Sequence, residues 1–113
     1  MKTKTAYLFG DKGELLGYDG DGRPVYSAPK PNIPFKIIRE PFSPELARNA
    51  YGLSTIQVRY RDFIKLKLID QKLLSKFKSN TEYVFNGYKY KITYVMKYDN
   101  HYEVLVDEVG IYT

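Results

Sequence analysis

The residues able to do chemistry are few: one histidine, no cysteine and thirteen carboxylates in 113 residues. The lone imidazole, His101, follows Asp99-Asn100, which reads as a turn, so it stands as an exposed turn residue and not as a general base. Without cysteine there is no thiol nucleophile, thiolate zinc site or disulfide framework, and a single histidine excludes multi-histidine metal sites. Carboxylate-pair hydrolysis needs two acids facing one cleft. Here the acids lie mostly in turns and at strand ends, and none stands alone in an apolar run. There is no Gly-x-Ser-x-Gly elbow, phosphate loop, His-Glu-x-x-His or dinucleotide fingerprint. Asp19-x-Asp21-Gly22 has the first two ligands of a calcium loop, but Arg23 stands where the third belongs and Lys30 where the closing Glu belongs. Neither an enzyme nor a cofactor is expected.

Binding chemistry is better represented. In Tyr88–Tyr98 the even positions read Tyr, Tyr, Ile, Tyr, Met, Tyr, and the odd positions carry Lys89, Lys91 and Lys97. Tyr beside Lys is the makeup of sequence-tolerant single-strand binders. Strand alternation, however, puts the two types on opposite faces, which favours a tyrosine core or interface with a lysine exterior. The net charge of +5 is concentrated in a basic band: Arg59, Arg61, Lys65, Lys67, Lys72, Lys76 and Lys78, against Asp62 and Asp70. Acidic stretches lie at Asp11–Asp21 and Asp99–Glu108. Such a band attracts a polyanion or the acidic edge of a neighbouring subunit.

The elements that must position these groups are mainly β. At 43% hydrophobic and 27% charged, the composition is that of one globular domain over residues 1–113. The apolar runs are too short for a membrane span or a signal peptide, so the default compartment is the cytoplasm. Lys, Tyr, Asn, Ile and Phe are abundant, which points to an AT-rich genome. Strands are expected at Thr5–Phe9, Glu14–Tyr18, Arg23–Ser27 and Ile33–Arg39, with Asp19-Gly20-Asp21-Gly22 as a turn. Pro41–Gly52 is the clear helix: Ser43 caps it, Pro44 opens it and Gly52 stops it. Leu53–Tyr60 alternates as a strand with Ile56, Val58 and Tyr60 on one face. Ile64–Leu68 continues as a strand, followed by a loop or helical turn from Asp70. Thr81–Phe85 and Tyr88–Tyr98 form a hairpin through Asn86-Gly87, and Tyr102–Val106 returns. The sum is a small β-barrel of about six strands with one short helix in a long inserted loop, residues 39–55. Insertions of that length tend to carry function.

The order of features resembles the head-closure proteins of tailed double-stranded DNA bacteriophages, the head–tail connector component also called the stopper or head–tail joining protein. The matching features are the N-terminal strand, the Asp19–Gly22 turn with Arg23-Pro24-Val25-Tyr26, the helical loop Pro41–Gly52, and Ile56–Tyr60 leading into Arg61-Asp62. The hairpin Tyr83–Ile92 and the closing strand Glu103–Val106 complete it. The basic stretch Phe63–Lys78 is longer than the family pattern. The resemblance implies a virion protein, made in the bacterial host cytoplasm, that forms a homo-oligomeric ring of six or twelve subunits at the head–tail interface. Portal or adaptor protein would lie above it and tail-terminator protein below, and the ring would close the DNA-filled head. In the family the long loop projects toward the channel, which nominates Arg39, Glu40, Ser43, Glu45, Arg48, Asn49 and Tyr51 as channel or inter-subunit residues. The basic band would face a partner or make non-specific contact with double-stranded DNA. The alternatives are a Tyr/Lys-rich barrel binding single-stranded nucleic acid, and a tail-completion or minor capsid protein.

Overall fold

Eight strands and one helix follow each other in the computed structural model, which describes residues 2–10, 13–53 and 57–112. The strands are β1 (Lys4–Phe9), β2 (Leu15–Tyr18), β3 (Pro24–Tyr26), β4 (Pro31–Pro41), β5 (Tyr60–Lys65), β6 (Glu82–Phe85), β7 (Tyr88–Lys97) and β8 (His101–Ile111). Helix α1 (Pro44–Tyr51) lies between β4 and β5, and two 3₁₀ segments, Leu66–Leu68 and Gln71–Lys76, lie between β5 and β6. Six strands close an antiparallel barrel in the order β1-β4-β5-β8-β7-β6. Closure comes from Tyr7 opposite Val84 and Leu8 opposite Tyr83. A closed barrel leaves no sheet edge unpaired.

Alternation fills the interior. Ala6 and Leu8, Phe35 and Ile37, Ile64, Tyr83 and Phe85, Tyr90 and Ile92, and Val104 and Val106 form one buried cluster. Each Val, Leu, Ile or Phe among them contributes about 1.5–3 kcal/mol when fully removed from water. The β6–β7 hairpin turns through Asn86 (φ 52°) and Gly87 (φ 80°), the pair of positive φ values that a tight hairpin turn matching strand twist requires.

The segment between β5 and β6 closes one end of the barrel. Ile69 and Phe77 belong to the interior cluster, with Leu73 and Leu74 packed against it, and the Phe77 ring meets Phe35 edge-on at 5.1 Å. The lysines among and beside them point outward: Lys67, Lys72 and Lys78 are exposed. The strand expected over Ile64–Leu68 therefore ends at Lys65 and gives way to 3₁₀ turns.

Helix α1 lies on the outside of the barrel wall. Ala47 packs with Phe42, Val58 and Leu105, and Tyr51, Leu53 and Met96 border them. This explains why Val104, Leu105 and Val106 are all buried, since the wall is covered on both sides there. The strand expected from Leu53 begins only at Tyr60. Arg59 bends the chain between Val58, which packs under the helix, and Tyr60, which borders the interior, so these two do not share a face. Ile56 lies outside the described residues.

β2 and β3 stand apart as a two-stranded arm between β1 and β4. Its neck is tight: a Cβ on Gly13 would sit 2.2 Å from the Ser27 carbonyl oxygen, so only glycine fits. Asp19 Oδ1 accepts from the amides of Asp21 and Arg23, each at 2.9 Å, and fixes the tip. The chain spans 55 Å along its longest axis, against 30 and 22 Å across.

Candidate functional site

The nominated loop residues divide into three environments. Ser43 caps α1, with Oγ accepting from the Leu46 amide at 3.2 Å, and Gly52 at φ 72° donates to the Arg48 carbonyl. Glu45, Arg48 and Asn49 are exposed on the helix. Leu46 is exposed beside them.

Glu40 and Tyr51 form the second group, where they meet Arg61 of the basic band. Arg61 Nε donates to Glu40 Oε1 at 2.6 Å, and its Nη1 donates to the Tyr51 hydroxyl. Tyr51 in turn donates to Glu103 Oε2 at 3.0 Å. Burial raises the Tyr51 pKa, with the Glu103 hydrogen bond acting the same way and Arg61 against both. The guanidinium lies between Phe42 at 4.4 Å and Phe63 at 4.9 Å. This network ties the C-terminal end of α1 to β5 and β8. Glu40 is a strand residue of β4, not a loop residue.

Glu103 extends the network to His101, whose Nε2 is 3.8 Å from Glu103 Oε1 and whose Nδ1 is 2.7 Å from Asn100 Oδ1. The ring stacks on Tyr98 at 4.8 Å and 11°. A hydrogen bond to Glu103 raises the Tyr98 pKa. His101 is thus the half-buried first residue of β8, not an exposed turn residue. Strand alternation from Glu103 could have signalled this, had β8 been started at His101. The network is mutually satisfied and binds the helix to the wall.

Arg39 is the clearest correction. It lies in β4, and alternation from Phe35 and Ile37 turns it into the barrel. Its Nε and Nη2 donate to Asp62 Oδ1 and Oδ2 at 2.8 and 2.7 Å, and the Tyr83 hydroxyl donates to the same carboxylate. Tyr90, Phe85 and Tyr60 surround the guanidinium at 3.8, 4.4 and 4.6 Å. Burial opposes the Arg39 charge, and the Asp62 carboxylate more than offsets it, so its pKa is raised. Burial, then the Asp62 charge, holds the Tyr83 phenol well above its ordinary value. Arg39 is a clamp inside the barrel and not a residue of the inserted loop. The inserted segment runs from after Pro41 to before Tyr60, later than residues 39–55, and Thr55 lies outside the described residues.

The basic band is continuous in sequence and divided in space. Arg59 lies 3.9 Å from Asp107 and 3.7 Å from Glu108 at the α1 end. Arg61 is held in the wall network. Lys65, Lys67, Lys72, Lys76 and Lys78 lie at the plugged end, because β5 carries the chain from one end to the other, about 17 Å along the strand. Lys76 and Lys78 line a hollow with Leu8 and Phe9, apart from Lys65 and Lys67. Beside them is a cleft of about 690 Å³ lined by Ile38, Phe63, Leu66, Lys65 and Lys67 on one side and Asp99–His101 on the other.

The Tyr/Lys strand also departs from strict alternation. A bulge between Ile92 and Tyr94 shifts the register: Tyr90 and Ile92 are buried, and beyond it Val95 packs against the interior while Tyr94 is exposed. Thr93 Oγ1 donates to the Leu105 carbonyl at 3.0 Å within the bulge. Tyr94 thus shares the outer face with Lys91, and Tyr90 belongs to the barrel interior. Among the described residues no three His, Asp or Glu are grouped to hold a metal ion, and no helix is long and apolar enough to cross a membrane. A scan against protein-family models finds no match, and a search of curated proteins finds none either.

Proposed function

We propose that this chain is a structural, non-enzymatic subunit of a tailed-phage head–tail connector, working by assembling into a six- or twelve-subunit ring at the head–tail interface. Portal or adaptor protein would contact one side of the ring and tail-terminator protein the other, with double-stranded DNA in the channel. The observation that carries the assembly reading is the arm. Outside a closed and filled barrel, it exposes Leu15, Leu16, Tyr18, Val25 and Tyr26, between 41% and 69% each. A small protein gains little by holding such side chains in water unless a partner covers them. Helix α1 adds a second presented surface, Leu46 with Glu45, Arg48 and Asn49, on a base clamped by Arg61 and Tyr51.

The test is sedimentation velocity with negative-stain imaging, first of the protein alone and then with the portal, adaptor and terminator products of neighbouring genes. Rings in either sample are expected. A protein that remains monomeric in both, and instead binds oligothymidylate with an affinity that falls steeply with salt, would replace this reading with the single-strand binder. That alternative has Tyr94 exposed on the same face as Lys91, and Lys97 over the Tyr102 ring at 5.6 Å, less than the run of stacking partners such binders use.

A further inference from the structure

We propose that the β2–β3 arm of one copy docks into the Ile38–Phe63–Leu66 cleft of a neighbouring copy, an arm-in-cleft contact between two copies of this chain. The inference rests on the ring reading and names the contact that would build it.

The two surfaces match in chemistry. The arm presents apolar side chains, Leu16 and Tyr18 foremost, flanked by the exposed acids Asp19 and Asp21, with Arg23 as a nearby base and Glu14 ion-paired with Lys30 at 3.7 Å. The cleft has an apolar floor of Ile38, Phe63 and Leu66 and a rim bearing Lys65 and Lys67, opposed by Asp99 on the far side. Exposed Lys72 extends the basic surface beyond the rim. At about 690 Å³ the cleft is within the range of pockets that bury small ligands, enough for side chains from a hairpin tip. Apolar contact supplies the attraction, and acid against lysine sets the orientation.

The arm does not fill the cleft of its own chain, since no residue of β2 or β3 lines it. Arm and cleft are different surfaces, so the contact is heterologous. Such contacts close into rings when the rotation between copies allows it, and otherwise run on as filaments. The rigid tip held by Asp19 and the tight neck at Gly13 make the arm a defined shape, which lowers the ordering cost of docking.

The absence of native cysteine makes site-specific cross-linking clean. Leu16→Cys and Gln71→Cys proteins, each altered at an exposed position, are mixed under oxidising conditions with one copy carrying a mass tag. The expected product is the mixed Leu16–Gln71 disulfide in excess over either homodimer. Lys67→Glu is expected to weaken self-association about tenfold or more, and an Asp21→Lys partner to restore most of it. Far-UV circular dichroism confirms that each variant folds. Rings that form without the mixed cross-link, and that tolerate Lys67→Glu, overturn the arm-in-cleft contact and leave the ring reading standing. A protein that neither assembles nor cross-links overturns both.

Discussion

Replacing Arg39 by Met tests whether the interior clamp or a channel-facing role explains this residue. Asp62 has no solvent exposure and the Arg39 side chain is 11% exposed, so the substitution leaves a buried carboxylate that still accepts from the Tyr83 hydroxyl. Removing one member of a buried ion pair costs about 3–5 kcal/mol. A chain of 113 residues has a total stability of roughly 6–17 kcal/mol, so the loss is a large share of it. With a urea dependence of about 2 kcal/mol per molar, the unfolding midpoint falls by about 2 M. With no tryptophan in the chain, far-UV circular dichroism and tyrosine fluorescence follow the transition. Arg39→Met combined with Asp62→Leu removes both charges and should recover about 2 kcal/mol of the loss, leaving about 1–3 kcal/mol for the orphaned Tyr83 hydroxyl. A single-variant loss under about 1 kcal/mol would refute the clamp. So would a double variant that loses the sum of the two singles, because the pair would then not be coupled.

Other expectations follow from the same geometry. Because burial and the Asp62 charge raise the Tyr83 pKa in the folded state, its contribution to stability is complete below about pH 10 and declines as pH rises beyond that, where only the unfolded chain ionises it. Urea midpoints measured across that range should therefore fall with pH, and the slope should be shallower in Tyr83→Phe. Leu105→Ala should cost about 2–5 kcal/mol because α1 covers it, whereas Leu46→Ala on the exposed helix face should stay within about 0.5 kcal/mol; equal losses would mean that the helix does not pack where it lies. Gly52→Ala should cost about 1 kcal/mol for the left-handed cap and Ser43→Ala about the same, and both should speed hydrogen exchange of the α1 amides before those of the barrel.

The fold class was legible because most of its signals are local. The Asn86-Gly87 turn, the Ser43-Pro44 opening and Gly52 stop of α1, and the strands β1 to β4 and β6 to β8 each follow from a few adjacent residues, with strand ends matching or falling within five positions. The site was less legible. By position in the chain Arg39 and Tyr51 read together as loop residues, and they fall on opposite sides of the barrel wall. Arg39 belongs to the alternation of Phe35 and Ile37, and a charge at an inward position is readable only when its partner is known, here Asp62 from another strand. The plug was hidden because Ile69 and Phe77 occur among lysines whose charged ends stay in water.

The sequence by itself determined the strand-rich class, the helix with its caps, the hairpins, and the few groups capable of chemistry. Each of those depends on backbone propensity or on residues a few positions apart. The tertiary structure alone decided four things. It closed β1 onto β6, put α1 on the outer wall over Leu105, turned residues 66–77 into the barrel plug, and shifted the β7 register at Thr93. The physical reason is shared: each depends on which surface covers a side chain from the far side. A period-two pattern specifies that a strand has two faces. Burial by a partner distant in sequence determines which of them is the inside, and whether the other is also covered.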